Sequence, residues 1–359
     1  MDDVKMEDSP PSDEVAVVTS ALDPDVFLLP SINEAALLSG DSYTYFSPVP
    51  PNLLPAAKND SQDSTAVPAA LGTPCVLGVD EAGRGPVLGA MVYGVFFLPV
   101  ELSDPLLRTT HHFDDSKVLT PAVRASLMKV LCTPGSDLYE SCGWAISALS
   151  ARDISAGMMR PGGTAPYNLN AQAMDATVAL IQGVYAAGVN VTDIYVDTIG
   201  TPAVYQRKLE RIFPMANITV AKKADSLYPS VSAASVCAKV TRDVALEVQY
   251  RARGEGSRVE GEEGEGMAWG SGYPSDGRCT SWLRANMHPV FGWGPECRFS
   301  WGTAKDMLEA RGNPKVEWPA DEDDSENARV TDYFIANNTG QDVDELGTWF
   351  GKPVGVESF

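Results

Sequence analysis

The sequence is poor in histidine, in paired cysteines and in long apolar runs, and each shortage removes a class of protein. Only three His occur in 359 residues. The six cysteines, Cys75, Cys132, Cys142, Cys237, Cys279 and Cys297, show no CxxC spacing, so a structural zinc site is not expected. The best apolar stretch, residues 86–100, closes at Glu101 and falls short of the roughly 18 residues that a bilayer-spanning helix needs. No membrane partner is expected. The first ten residues, MDDVKMEDSP, carry acids where a secretory leader carries bases, so export by that route and disulfide pairing are not expected either.

Bases are also scarce, with 27 Lys and Arg against 48 Asp and Glu and a formal net charge of -21. The excess sits at the ends: residues 1–70 hold 12 acids and 2 bases, and residues 312–359 hold 11 and 3. The stretch between them carries 25 acids and 22 bases, so a locally basic groove remains compatible with an acidic chain.

Four segments follow from composition. Residues 1–70 read as an acidic, disordered arm, residues 71–250 as the main folded domain followed by an acidic Gly/Glu insertion at 251–266, residues 267–311 as a helical extension, and residues 312–359 as an acidic tail. Within the domain, CVLGVD, GAMVYGVFFLP, YESCGWAISAL, TDIYVD and ITVAKKAD read as strands. PAVRASLMKVL, residues 168–187, PAVYQRKLERIF and residues 229–250 read as helices, with further helices expected from Thr280 to Arg311. That order implies an α/β fold, a mixed five-stranded sheet with helices on its faces.

Three of these strands end in carboxylates: Asp80 and Glu81, Asp197, and Asp225. Taken singly, an Asp at a strand end is more often a turn or a helix cap. Taken together, strand ends lie side by side at one rim, where four carboxylates repel unless cations neutralise them. Two Mg²⁺ ions about 4 Å apart would do so and would equip the site to hydrolyse a phosphodiester. The first pair continues into Gly83-Arg84-Gly85, whose glycines let a backbone approach a sugar or phosphate closely.

At this point the sequence resembles type 2 ribonuclease H, in the form of the catalytic polypeptide of the eukaryotic heterotrimers. The resemblance spans about residues 74–311 and rests on DEAGRGPVLG, DDSKVLT, YNLN, VDTIG, KADSLYPSVSAASVCAKVTRD, GSGYPSD and RFSW. It implies a ribonuclease H-like fold with a C-terminal helical extension. The implied activity is two-metal cleavage of RNA in RNA–DNA hybrids, and of the 5′ side of single ribonucleotides in duplex DNA, leaving 3′-hydroxyl and 5′-phosphate ends in DNA replication and repair. Asp80, Glu81, Asp197 and Asp225 would hold Mg²⁺, with Mn²⁺ as a substitute. Gly83, Arg84 and Gly85 would sense the ribose 2′-OH through backbone groups, and Tyr273 would pack on the sugar at the junction. Lys117, Lys239 and Arg242 are candidate phosphate contacts, although Lys239 and Arg242 could equally pair with acids on a helix surface. His111 and His112 are assigned nothing.

Further expectations are accessory subunits B and C and nuclear residence. In the tail, Val330, Tyr333 and Phe334 match a degenerate sliding-clamp box, with Asn327 where Gln is usual. Docking on the accessory subunits is the favoured alternative for these anchors. Two rival functions stand beside the main reading: a catalytically dead scaffold, and a nuclease for a different phosphodiester.

Overall fold

The computed structural model describes residues 27–55, 72–113, 119–160, 167–198, 200–253 and 267–310. Among them six strands, β1 (Tyr43–Phe46), β2 (Cys75–Ala82), β3 (Met91–Pro99), β4 (Gly143–Leu149), β5 (Val191–Asp197) and β6 (Asn217–Ala221), form one sheet in the order β1-β4-β3-β2-β5-β6. β2, β5 and β6 run parallel, and the other pairings are antiparallel. The carboxyl ends of the three parallel strands therefore share one rim.

Ten α-helices among the described residues surround the sheet: α1 (Glu34–Ser39), α2 (Pro121–Leu131), α3 (Asp137–Ser141), α4 (Ala151–Met158), α5 (Leu169–Ala186), α6 (Pro202–Ile212), α7 (Ala224–Leu227), α8 (Pro229–Ala252), α9 (Gly277–Ala285) and α10 (Gly302–Glu309). Their starts follow local chemistry. Thr120 Oγ1 accepts from Val123 N at 3.3 Å with Pro121 in the first turn of α2, and Asn168 Oδ1 accepts from Ala171 N at 2.8 Å ahead of α5.

Strand alternation separates two apolar layers. Leu77, Val79, Tyr93, Ile194 and Val196 pack with α5 residues such as Leu180, Ile181 and Val184. Val76, Val92 and Phe96 pack on the other face with Ala233, Ala234, Val236 and Cys237 of α8. The sheet lacks side chains where α8 crosses most closely: a Cβ at Gly78 would stand 2.2 Å from the Ser230 carbonyl carbon, and one at Gly94 would stand 2.7 Å from the Ala234 oxygen. A third apolar cluster, with Trp269, Trp282 and Trp293, joins α9 and α10 to Leu246 of α8 and to Val87 and Leu88.

Three expectations need correction. The sheet has six strands, not five, because residues 43–46 pair antiparallel with β4 at the sheet edge. The reading of residues 1–70 as a disordered arm fails over residues 27–55, which hold α1, β1 and a 3₁₀ turn at Pro51–Leu53. The expected third strand starts only at Gly143, since Ser136 Oγ caps α3 by accepting from Tyr139 N at 3.1 Å.

Candidate active site

The register of β2 and β5 brings the first carboxylates together. Val79 pairs with Val196, so Asp80 and Asp197 stand one step further along neighbouring parallel strands, on the face covered by α8. Glu81 alternates to the opposite face, where its strand partner is Tyr93. Asp225 is not at a strand end. β6 stops at Ala221, Lys223 takes a left-handed φ of 58°, and Asp225 lies buried in the single turn of α7. That turn is tied to the rim because Asp197 Oδ1 accepts from Ala224 N at 2.8 Å.

Electrostatics join Asp80, Glu81 and Asp197. Burial, followed by the charge on Glu81, pushes the Asp80 carboxyl well above the usual carboxylate range, while the Ser235 hydroxyl of α8 pulls the other way. Burial pushes Glu81 up to about 7, with Arg84 opposing and Asp197 reinforcing the shift. Among the described residues, no group of three or more His, Cys, Asp and Glu side chains closes into a ready-made metal cage. Local bonds orient the carboxylates instead, as when Asp80 Oδ1 accepts from Glu81 N at 2.8 Å.

Beside this rim the chain folds into the Gly83-Arg84-Gly85 loop. Gly83 has φ of 76°, and a Cβ there would stand 2.8 Å from the Ala90 oxygen, so the position demands glycine. Arg84 donates to Asn170 Oδ1 and, at 3.4 Å, to the Tyr93 hydroxyl. The YNLN motif thereby acquires a role that sequence reasoning did not assign. The tyrosine loop docks directly on this segment, with the Gly272 carbonyl accepting from Val87 N at 2.9 Å and Leu88 N at 3.2 Å. Tyr273 is 37% exposed, and its ring packs over Gly85.

The remaining candidates separate. Arg242 is buried at 7% exposure and does not face solvent as a phosphate contact should. Its guanidinium donates to the Ser271 carbonyl and to Asp243 Oδ1, and lies 5.7 Å from the Tyr273 ring centroid. It supports the tyrosine loop from behind. Lys239 is half-buried on α8. Lys117, Val330, Tyr333 and Phe334 lie outside the described residues. His111 Nε2 lies 2.9 Å from the Asp137 carboxylate.

Two side chains bonded to the loop escaped the sequence reading. Arg298 is fully buried and donates to three carbonyls of the loop, and Trp301 Nε1 donates to the Gly85 carbonyl at 3.0 Å. Both lie in RFSW, whose place in the motif set was the one available signal.

Comparison with known proteins gives the family and the fold. The family model for ribonuclease HII covers residues 77–304. The A subunit of ribonuclease H2 from Neurospora crassa is 62% identical over 335 residues, which is 93% of this chain and 97% of that one. Its human counterpart is 41% identical over 265 residues, covering 73% of this chain and 82% of its own. Among solved structures, the ribonuclease H2 of Pyrococcus horikoshii superposes with a TM-score of 0.52 at 30% identity, covering 67% of this chain and 100% of that one. With its sheet, its docked loops and these relatives, the chain belongs to the ribonuclease HII family of hydrolases.

Proposed function

We propose that the chain is the catalytic subunit of an endonuclease that cleaves RNA paired with DNA, including single ribonucleotides embedded in duplex DNA. The observation that carries this reading is the juxtaposition at the end of β2. Asp80, level with Asp197, is followed within a few residues by a glycine loop on which an exposed tyrosine is docked.

The donors fit divalent cations of hard character. Asp80, Glu81, Asp197 and Asp225 offer carboxylate oxygens, and the upward shifts of Asp80 and Glu81 reflect charge that burial leaves uncompensated. Two Mg²⁺ ions held there, or Mn²⁺ in their place, would neutralise these groups and supply Lewis-acid chemistry at the scissile phosphate. The chain's own residues position the substrate. α7 and β5 fix Asp197 against Asp225 through the Ala224 bond. The Gly83–Gly85 backbone, with no side chain at either glycine, would read a 2′-OH, the group that distinguishes RNA from DNA. Tyr273 offers its ring to the adjacent sugar. Cleavage 5′ to the ribonucleotide, leaving 3′-hydroxyl and 5′-phosphate ends, suits a role in removing ribonucleotides during DNA replication and repair.

The naming of its relatives as one lettered subunit of a larger enzyme supports an assembly with accessory subunits B and C, and nuclear residence is proposed from the family resemblance. The anchors Val330, Tyr333 and Phe334 are assigned to the accessory subunits in preference to a sliding clamp, because grouped aromatics in an otherwise acidic segment suit a permanent interface. Truncation after Ala320 decides between them. Loss of assembly supports the subunit interface, whereas intact assembly with loss of clamp binding overturns it.

The activity is tested by incubating the assembled enzyme and Mg²⁺ with a duplex carrying one ribonucleotide, beside an all-DNA control. A single cut 5′ to the ribonucleotide is expected. Cleavage of the all-DNA duplex, or of neither, rejects the reading.

A further inference from the structure

A buried arginine lies directly behind the glycine loop. Arg298 spreads its fork over three carbonyls: Nε donates to Gly89 O at 3.0 Å, Nη1 to Arg84 O at 3.0 Å and Nη2 to Gly83 O at 2.6 Å. Its own backbone N–H donates to Val87 O at 2.8 Å. Trp301, 4.8 Å from the guanidinium by its ring centroid, adds the Nε1 bond to Gly85 O. The oxygens of Gly83, Arg84, Gly85, Val87 and Gly89 are therefore all held from one side.

This arrangement has a stereochemical consequence. No cis peptide bond occurs among the described residues, and in a trans peptide the carbonyl and the following N–H point in opposite directions. Fixing Gly83 O and Arg84 O inward turns the N–H groups of Arg84 and Gly85 outward. Neither N–H finds an acceptor among the described residues, so both remain available to a ligand oxygen.

The charge matters as well. Arg298 pairs with no carboxylate among the described residues; its charge is met by three carbonyl dipoles and the face of the Trp301 ring. Burial lowers its pKa to about 9, which leaves the group cationic near neutrality. A positive charge behind outward-facing amides strengthens their pull on an electron-rich oxygen.

Resting on the reading that this loop senses the ribose 2′-OH, we propose that Arg298, seconded by Trp301, is a positioning residue that sets discrimination between ribonucleotide and deoxyribonucleotide. It holds two peptide planes with their N–H groups turned to the substrate. A lysine keeps the charge but cannot spread three donors over carbonyls in a planar fork.

The test uses the assembled enzyme in chelator, so that cleavage does not interfere. Affinity is measured for a duplex with one ribonucleotide and for its all-DNA counterpart, in wild type, Arg298→Lys, Trp301→Phe and Gly83→Ala. The expected result is a fall in the ribo/deoxy affinity ratio, about 10-fold in Arg298→Lys and about 3-fold in Trp301→Phe. A merely structural role lowers the folded fraction and scales both affinities alike, leaving the ratio unchanged. Wild-type preference in a variant that melts cooperatively overturns the proposal. Should Arg298→Lys fail to fold, Trp301→Phe decides alone, because it removes one donor and keeps the ring. No preference in wild type overturns the 2′-OH reading itself. Preference lost in Gly83→Ala but kept in both clamp variants leaves that reading standing and rejects the clamp.

Discussion

The ring of Tyr273 rests on Gly85 so closely that a Cβ at the glycine would stand 3.1 Å from Cε1. The tyrosine and the glycine loop are thus two sides of one surface, and neither can shift without the other. Gly85→Ala should displace the ring by a few tenths of an ångström while leaving the carboxylate rim in place. Cleavage at an isolated ribonucleotide should fall about 10-fold in kcat/KM. Continuous hybrids should lose less, because neighbouring 2′-OH groups can substitute. Steady-state kinetics on the two substrates checks this, and equal losses count against a junction-sensing tyrosine.

The tyrosine loop also hangs on Asp276, whose Oδ2 accepts from Ser271 N at 2.8 Å and from Ser271 Oγ at 2.9 Å. The backbone bond from Ser271 is the largest influence holding this carboxyl below its ordinary value of 3.8. A carboxyl lowered in the folded state contributes stability above its unfolded value, and that contribution is lost as pH falls through the folded value. Asp276→Ala should cost on the order of 1–3 kcal/mol at neutral pH and should expose the loop to protease. The difference in melting midpoint between variant and wild type should shrink on acidification below pH 3.8. A pH-independent difference contradicts the assignment.

Much of this site was legible in the chain because its signals are local. An apolar run ending in Asp-Glu marks a strand meeting a rim, and glycines on both sides of Arg84 mark a backbone that must come close to something. Other features depend on pairings that no local pattern encodes. β1 has four residues between prolines and turns, and becomes a strand only because β4 offers it an edge. Asp225 looked like a strand end because ITVAKKAD is continuous in composition, yet the left-handed turn at Lys223 breaks it. Arg242 read as a surface or phosphate-binding group and Arg298 carried no assignment, since a cation in sequence carries no sign of burial. Their partners are carbonyls of Ser271, Gly83, Arg84 and Gly89, and every residue has a carbonyl.

Asp80 and Asp225 should be separable from folding and from binding. Replacing either by Asn keeps volume and removes one negative charge from a rim already crowded with them. Cleavage should fall roughly 10³-fold or more, with hybrid affinity at moderate salt changed little, since phosphate contacts dominate it. Binding titrations beside single-turnover cleavage distinguish the two effects. Substantial Mg²⁺-dependent turnover in either variant removes that residue from the proposed ligand set.

The same crowding predicts how stability responds to pH and to divalent cations. Glu81 is raised from 4.5 to about 7 in the fold by burial first, with Asp197 reinforcing the shift. A carboxyl raised in the folded state binds its proton more tightly there than in the unfolded chain. Its stabilising contribution is therefore present below its ordinary value and is lost as pH rises through about 7. In chelator, the enzyme should be less stable at about pH 8 than at about pH 5.5, by on the order of 1–3 kcal/mol from this group. Mg²⁺ should reverse the loss, because a cation among the carboxylates favours their charged forms and is bound only by the folded chain. Thermal melts with and without Mg²⁺ should thus diverge at the higher pH and converge at the lower. Asp225→Asn, which removes one proposed ligand, should narrow the gap. A Mg²⁺ stabilisation that is the same at both pH values, or is unchanged in Asp225→Asn, indicates that the ion binds elsewhere.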